Sequence, residues 1–75
     1  CIFKNPDHIS AAKLIELCNI DIKSDTVKIS RKHHNFLEIG DNTNPYDILQ
    51  TIQLIQSEVE LKTGTKLELE IDLWT

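Results

Sequence analysis

The sequence predicts a small α+β domain, a short sheet with two helices on one face, in the order turn-α-β-β-α-β. Three observations carry this. Apolar residues recur at helical spacing in two windows, Ala11 to Cys18 and Ile48 to Val59. Val27-Lys-Ile-Ser30 and Leu67-Glu-Leu-Glu-Ile-Asp-Leu73 alternate apolar with polar residues, the period of a strand covered on one side. Turn-forming residues stand between these windows.

Taken in order, Cys1-Ile-Phe-Lys-Asn-Pro6 reads as the end of a strand entering a turn, because Pro6 pushes Asn5 out of helical angles. Ser10 is an N-cap for the first helix, whose apolar positions Ala11, Leu14, Ile15 and Cys18 fall on one face, and Asn19 can end it. Ile20 and Ile22 alternate with Asp21 and Lys23, a brief strand or an extended arm. After the turn Ser24-Asp25-Thr26, Val27 to Ser30 and Phe36 to Ile39 form a strand pair around the polar connection Ser30-Arg-Lys-His-His-Asn35. That connection is expected to present Lys32, His33 and Asn35 at one edge. Asn44 caps the long helix, Pro45 takes its first position, Asp47 places negative charge near its start, and Gly64 stops it. The closing strand Leu67 to Leu73 turns Glu68, Glu70 and Asp72 outward.

Seventy-five residues make one domain, 1–75, with no internal repeat. So short a chain buries only about 60% of its unfolded surface, and such a core rarely supplies more than about 3–5 kcal/mol. The domain is expected to lean on further polypeptide, and a start at Cys1 rather than Met fits that expectation. The net charge of −4 speaks against nucleic acid, which demands a basic stripe. No apolar run has the length of a membrane span, and no signal-peptide pattern is present. Cys1 and Cys18 have no Cys-x-x-Cys spacing, and they fit a reducing cytoplasm.

Three places could carry chemistry. Cys1, beside Lys4 and Asn5, bears a thiol; an ordinary thiol has a pKa of about 8.5 and can donate a proton near neutrality, while a nearby cation favours the thiolate. The competing reading is a small, half-buried residue. Glu70 shares its face with Glu68 and Asp72, and alternation alone does not choose among them; all three also read as ordinary solvated strand residues. The cluster Lys32, His33, His34 and Asn35 suits a phosphate or carboxylate, lysine as a point charge and the others as oriented donors. Adjacent histidines on an extended chain point apart and are poor co-ligands, so no metal site is expected.

At these same places the chain resembles a known family. Cys1-Ile-Phe-Lys-Asn-Pro6 is similar to the Gly-Ser-x-Phe-Lys-Asn-Pro signature of UDP-N-acetylenolpyruvoylglucosamine reductase (UDP-N-acetylmuramate dehydrogenase). Ser10-Ala-Ala-Lys-Leu-Ile-Glu16 resembles that family's Ser-Ala-Gly-x-Leu-Ile-Glu helix, and Ile29-Ser-Arg-Lys-His-His-Asn-Phe36 its Val-Ser-Glu-Lys-His-Ala-Asn-Phe. Gly64-Thr-Lys-Leu-Glu-Leu-Glu-Ile71 is similar to Gly-x-x-Leu-Glu-x-Glu-Val. The four motifs keep their order and cover nearly the whole chain. The chain departs from the pattern at Ser24 to Val27, at His34 and at Ile39-Gly40-Asp41.

The resemblance implies the C-terminal substrate-binding domain of a longer flavoenzyme whose FAD-binding part lies upstream. It implies an NADPH-dependent reduction of the enolpyruvyl group, giving UDP-N-acetylmuramic acid for peptidoglycan synthesis in the cytoplasm. FAD and NADPH belong to the full-length enzyme, and none is expected on these residues alone. The substrate, UDP-N-acetylglucosamine enolpyruvate, and the upstream domain are the implied partners; nucleic acid and membrane are not. Cys1 falls on the family's proton-donating serine, and Glu70 on the glutamate that acts at the enol intermediate. Asn5 falls on the asparagine that contacts the UDP-sugar, with Lys4, Lys32 and His33 as further substrate-binding candidates. The alternatives are a diverged, non-catalytic nucleotide-sugar-binding module and a small interaction domain without a ligand.

Overall fold

Residues 1–71 are described by the computed structural model of the chain. Its longest element, the second helix, is fixed by local chemistry at both ends. Asn44 has extended angles and its Oδ1 accepts from Tyr46 N–H at 2.9 Å, while Pro45 opens the helix where an N–H has no intrahelical acceptor. Gly64, at φ 77°, ends it by donating its N–H to Glu60 C=O at 2.9 Å, a left-handed stop that other residues adopt only with strain. The helix so bounded, Pro45–Thr63, buries Ile52, Ile55 and Val59 completely and Ile48 in part. Thr51 joins the buried face, where its hydroxyl donates to Asp47 C=O at 2.8 Å. Full burial of each aliphatic side chain stabilises the fold by about 1.5–3 kcal/mol.

The first helix, Ala11–Cys18, is the predicted one. Ser10 Oγ accepts from Lys13 N–H, and Asn19 closes the helix in the left-handed region at φ 49°. All four predicted apolar positions are buried. We label the helices α1 (Ala11–Cys18) and α2 (Pro45–Thr63), and the antiparallel strands β1 (Val27–Ile29) and β2 (Leu37–Ile39), paired Val27 with Ile39 and Ile29 with Leu37. The order is α1-β1-β2-α2. Helix α2 is the spine, packing against α1 on one side and β1 on the other. Lys62 reaches across from its last turn to donate to Cys18 C=O at 2.9 Å, satisfying a carbonyl that the end of α1 leaves open.

Three expectations are refined. Ile20 and Ile22 form no strand; they run as an extended arm, half-buried against the core. The predicted closing strand pairs only at Leu69, opposite Phe3, flanked by Lys4 N–H to Glu68 C=O and Glu70 N–H to Ile2 C=O, both 2.8 Å. Its partner explains the brevity, since Pro6 turns the first segment away after Lys4 and Asn5. Asp72 and Leu73, assigned to the same strand, lie outside the described residues.

The third refinement concerns Asn35. It is not presented at an edge but buried at 1% exposure. Its Oδ1 accepts from Phe3 N–H at 2.9 Å and its Nδ2 donates to Phe3 C=O at 2.8 Å. Its own C=O accepts from Ile2 N–H at 2.8 Å. The segment Ile2–Lys4 is therefore clasped by Asn35 on one side and Glu68–Glu70 on the other.

Candidate functional site

The clasped segment delivers the candidate residues to two separate depressions. At its start, the free thiol of Cys1 is exposed and borders an apolar depression of about 240 Å³, whose walls include Phe36, Ile39, Ile48 and Ile71. Phe36, Ile39 and Ile71 keep 45%, 51% and 42% of their surface, so this floor is open to a ligand or another surface. Glu70 is exposed beside it: its N–H bonds the carbonyl of Ile2, the residue after Cys1, though its side chain is not part of the depression's wall.

Past Phe3, the same segment enters a polar depression of about 250 Å³ formed by Lys4, Asn5, Pro6, Asp7, Lys66 and Glu68. Asn5 has a second task there. Its Oδ1 accepts from Ala11 N–H at 3.0 Å, satisfying one of the open donors of α1. Its Nδ2 remains as a donor with which Asn5 can meet a ligand. Lys66 was not singled out from the sequence, yet it shares the period-two face of Glu68 and Glu70 and was legible in that pattern. Two ammonium groups and one amide donor face two carboxylates, a mixed site suited to a ligand carrying both anionic and hydroxyl groups.

Lys32 and His33 form no part of the walls of either depression and are exposed on the turn between the strands. Ser30 Oγ organises that turn by accepting from the N–H groups of Lys32 and His33 at 3.3 and 3.4 Å. His33 Nδ1 accepts from Asn35 N–H at 3.3 Å and its ring lies 4.7 Å from that of Phe36, so Nε2 is its outward nitrogen. His34 turns the other way, its Nδ1 4.0 Å from Glu16 Oε2. Among the described residues, no three His, Cys, Asp or Glu side chains converge as a metal site would require. No helix among them is long and apolar enough to cross a membrane.

Residues 1–74 match the family described as UDP-N-acetylenolpyruvoylglucosamine reductase, C-terminal domain. The chain belongs to that family. Proteins named UDP-N-acetylenolpyruvoylglucosamine reductase from Chloroherpeton thalassium and Protochlamydia amoebophila are each 38% identical to it, over 96% and 95% of this chain. One of the same name from Syntrophobacter fumaroxidans is 36% identical over 95%. The chain spans about a quarter of the length of these reductases, between 21% and 25%. The clasp at Phe3 thus lies within a domain that the reductase family carries as the C-terminal part of a longer molecule.

Proposed function

We propose that this domain binds substrate and supplies the acid in an NADPH- and FAD-dependent UDP-N-acetylenolpyruvoylglucosamine reductase of the cytoplasm. In this reading it acts on the enolpyruvyl ether of UDP-N-acetylglucosamine and gives UDP-N-acetylmuramic acid for peptidoglycan. The observation that carries the reading is the family match over residues 1–74, which takes in both candidate catalytic residues. One feature of the geometry supports it: the segment that carries Cys1, the residue proposed as acid, is held from both sides beside an apolar depression.

The glycines, Gly40 at the end of the hairpin and Gly64 at a helix C-terminus, offer no pyrophosphate cradle of the strand-glycine-helix kind. We therefore assign the flavin to residues outside this chain. The flavin, when bound there, supplies hydride to C3 of the enolpyruvyl group. Cys1 Sγ gives its proton to C2, so that hydride and proton together saturate the double bond and the thiolate is reprotonated by solvent. Glu70 stabilises the enol form at the substrate carboxylate. Lys4 and Asn5 hold the nucleotide end, and Lys32 and His33 are substrate contacts from the hairpin turn.

Assay of the full-length protein tests this. NADPH oxidation that depends on the enolpyruvyl substrate, with a product two hydrogens heavier, is the expected result. A folded, flavin-loaded protein that leaves this substrate unchanged overturns the reading in favour of a non-catalytic binding module.

A further inference from the structure

Among the described residues the buried polar side chains are Asn35 and Thr51. Thr51 bonds only its own helix, but both carboxamide bonds of Asn35 go to Phe3, 32 residues away. Burying an amide costs free energy that its hydrogen bonds must offset, and an aliphatic residue would fill such a position without that cost. What an aliphatic residue lacks is peptide-like chemistry. The carboxamide takes the N–H and the C=O of Phe3 at once, as the facing residue of an antiparallel pair does. It is one residue's worth of strand, supplied by a side chain.

That substitution has a consequence for register. A strand pair can slip by one residue, which turns every side chain to the opposite face. A single amide bonded to both peptide groups of Phe3, backed by Asn35 C=O on Ile2 N–H, fixes one alignment. Slipping by one would put Ile2 in the place of Cys1. Asn35 also lines the apolar depression that Cys1 borders, so the lock sits within the wall whose rim it sets.

We propose that Asn35 is a positioning residue for Cys1: its buried carboxamide, bonded to both peptide groups of Phe3, holds the first segment in the register that places the thiol over the apolar depression. This rests on Cys1 as the proton donor, and the test separates the two ideas.

The measurements use the full-length, flavin-loaded enzyme with Asn35→Asp, which sets a carboxylate oxygen against Phe3 C=O, and with the milder Asn35→Ser, which keeps a small polar group there. Amide hydrogen exchange of the peptide covering residues 1–5 is expected to rise at least about tenfold in both, since the clasp is opened. Flavin reduction by NADPH stays at the wild-type rate. Flavin reoxidation by the enolpyruvyl substrate falls about tenfold to a hundredfold, the range in which misplacing a reacting group slows a step. The double variant Cys1→Ala/Asn35→Asp reoxidises no more slowly than Cys1→Ala alone, because a residue acting through Cys1 adds nothing once the thiol is gone.

Reoxidation at the wild-type rate despite opened exchange makes Asn35 merely structural and overturns the proposal, while a slow Cys1→Ala leaves the donor assignment standing. Multiplied losses in the double variant also overturn it. A Cys1→Ala enzyme that reoxidises normally removes the donor assignment itself, and the proposal with it. If Asn35→Asp does not fold, Asn35→Ser carries each comparison unchanged.

Discussion

At the scale of single residues, Asn5 shows how one side chain can serve fold and ligand with different atoms. Its Oδ1 holds the Ala11 N–H, and its donor Nδ2 is left for substrate. Asn5→Asp keeps the acceptor and adds negative charge at a helix N-terminus, where it is favourable. Melting of the full-length enzyme is therefore expected to be unchanged or slightly raised, while substrate affinity by calorimetry falls. Equal affinity would free Asn5 from any part in binding. Cys1→Ala should leave flavin reduction by NADPH intact and slow reoxidation by substrate by about 10²–10⁴-fold, the usual cost of losing a general acid, with Cys1→Ser retaining more. Glu70→Gln should depress turnover far more than substrate binding, since its interaction belongs to the transition state. Glu68→Gln and Asp72→Asn should shift stability by at most about 0.5 kcal/mol and leave turnover nearly unchanged, with any effect of Glu68→Gln confined to substrate affinity because Glu68 borders the polar depression. Equal, small effects in all three would take Glu70 out of the mechanism.

At the scale of elements, the ends of the helices are set by neighbours in sequence, and this is why they were legible. Ser10, Asn19, Asn44-Pro45 and Gly64 act within a turn of their own helices, and α1 and α2 begin and end where the sequence places them. Gly64→Ala, forced to φ 77° with no other hindrance nearby, should cost about 1 kcal/mol in chemical denaturation of the domain. The strands were less legible, because their bounds depend on partners. Alternation marked Leu67 and Leu69 as inward and Glu68 and Glu70 as outward, and it is right for these four. It could not say that the facing segment runs out at Pro6, which leaves only the Phe3–Leu69 bridge. A polar residue in a polar run looks solvated, so the sequence suggests a displayed donor at Asn35; its true partner, Phe3, is 32 residues distant and leaves no local trace. The candidate site was legible as residue types, but not as two depressions on either side of one segment.

At the scale of the whole molecule, the core is small enough that one side chain decides whether it holds. Ile55 is fully buried on α2, the helix that packs against both α1 and β1. Ile55→Ala should cost about 2–5 kcal/mol, which equals all that a core of this size supplies. Chemical denaturation of the full-length protein is expected to report this domain unfolded in the variant at 25 °C where it is folded in the parent. A folded variant would mean that the core is stronger than its size suggests.

The clasp on Phe3 also sets a timetable during synthesis. Ile2 and Phe3 are made before either of their partners: one follows at Asn35 and the other only at Leu69. At about 5–20 residues per second, the chain from Phe3 to Leu69 takes on the order of 3–13 s to make. For that interval the edge that Leu69 covers in the finished domain has no partner, beside two apolar side chains that are buried only once the fold closes. Translation speed, rather than the stability of the finished domain, then governs how long this segment is open to chaperones or to pairing with another nascent chain.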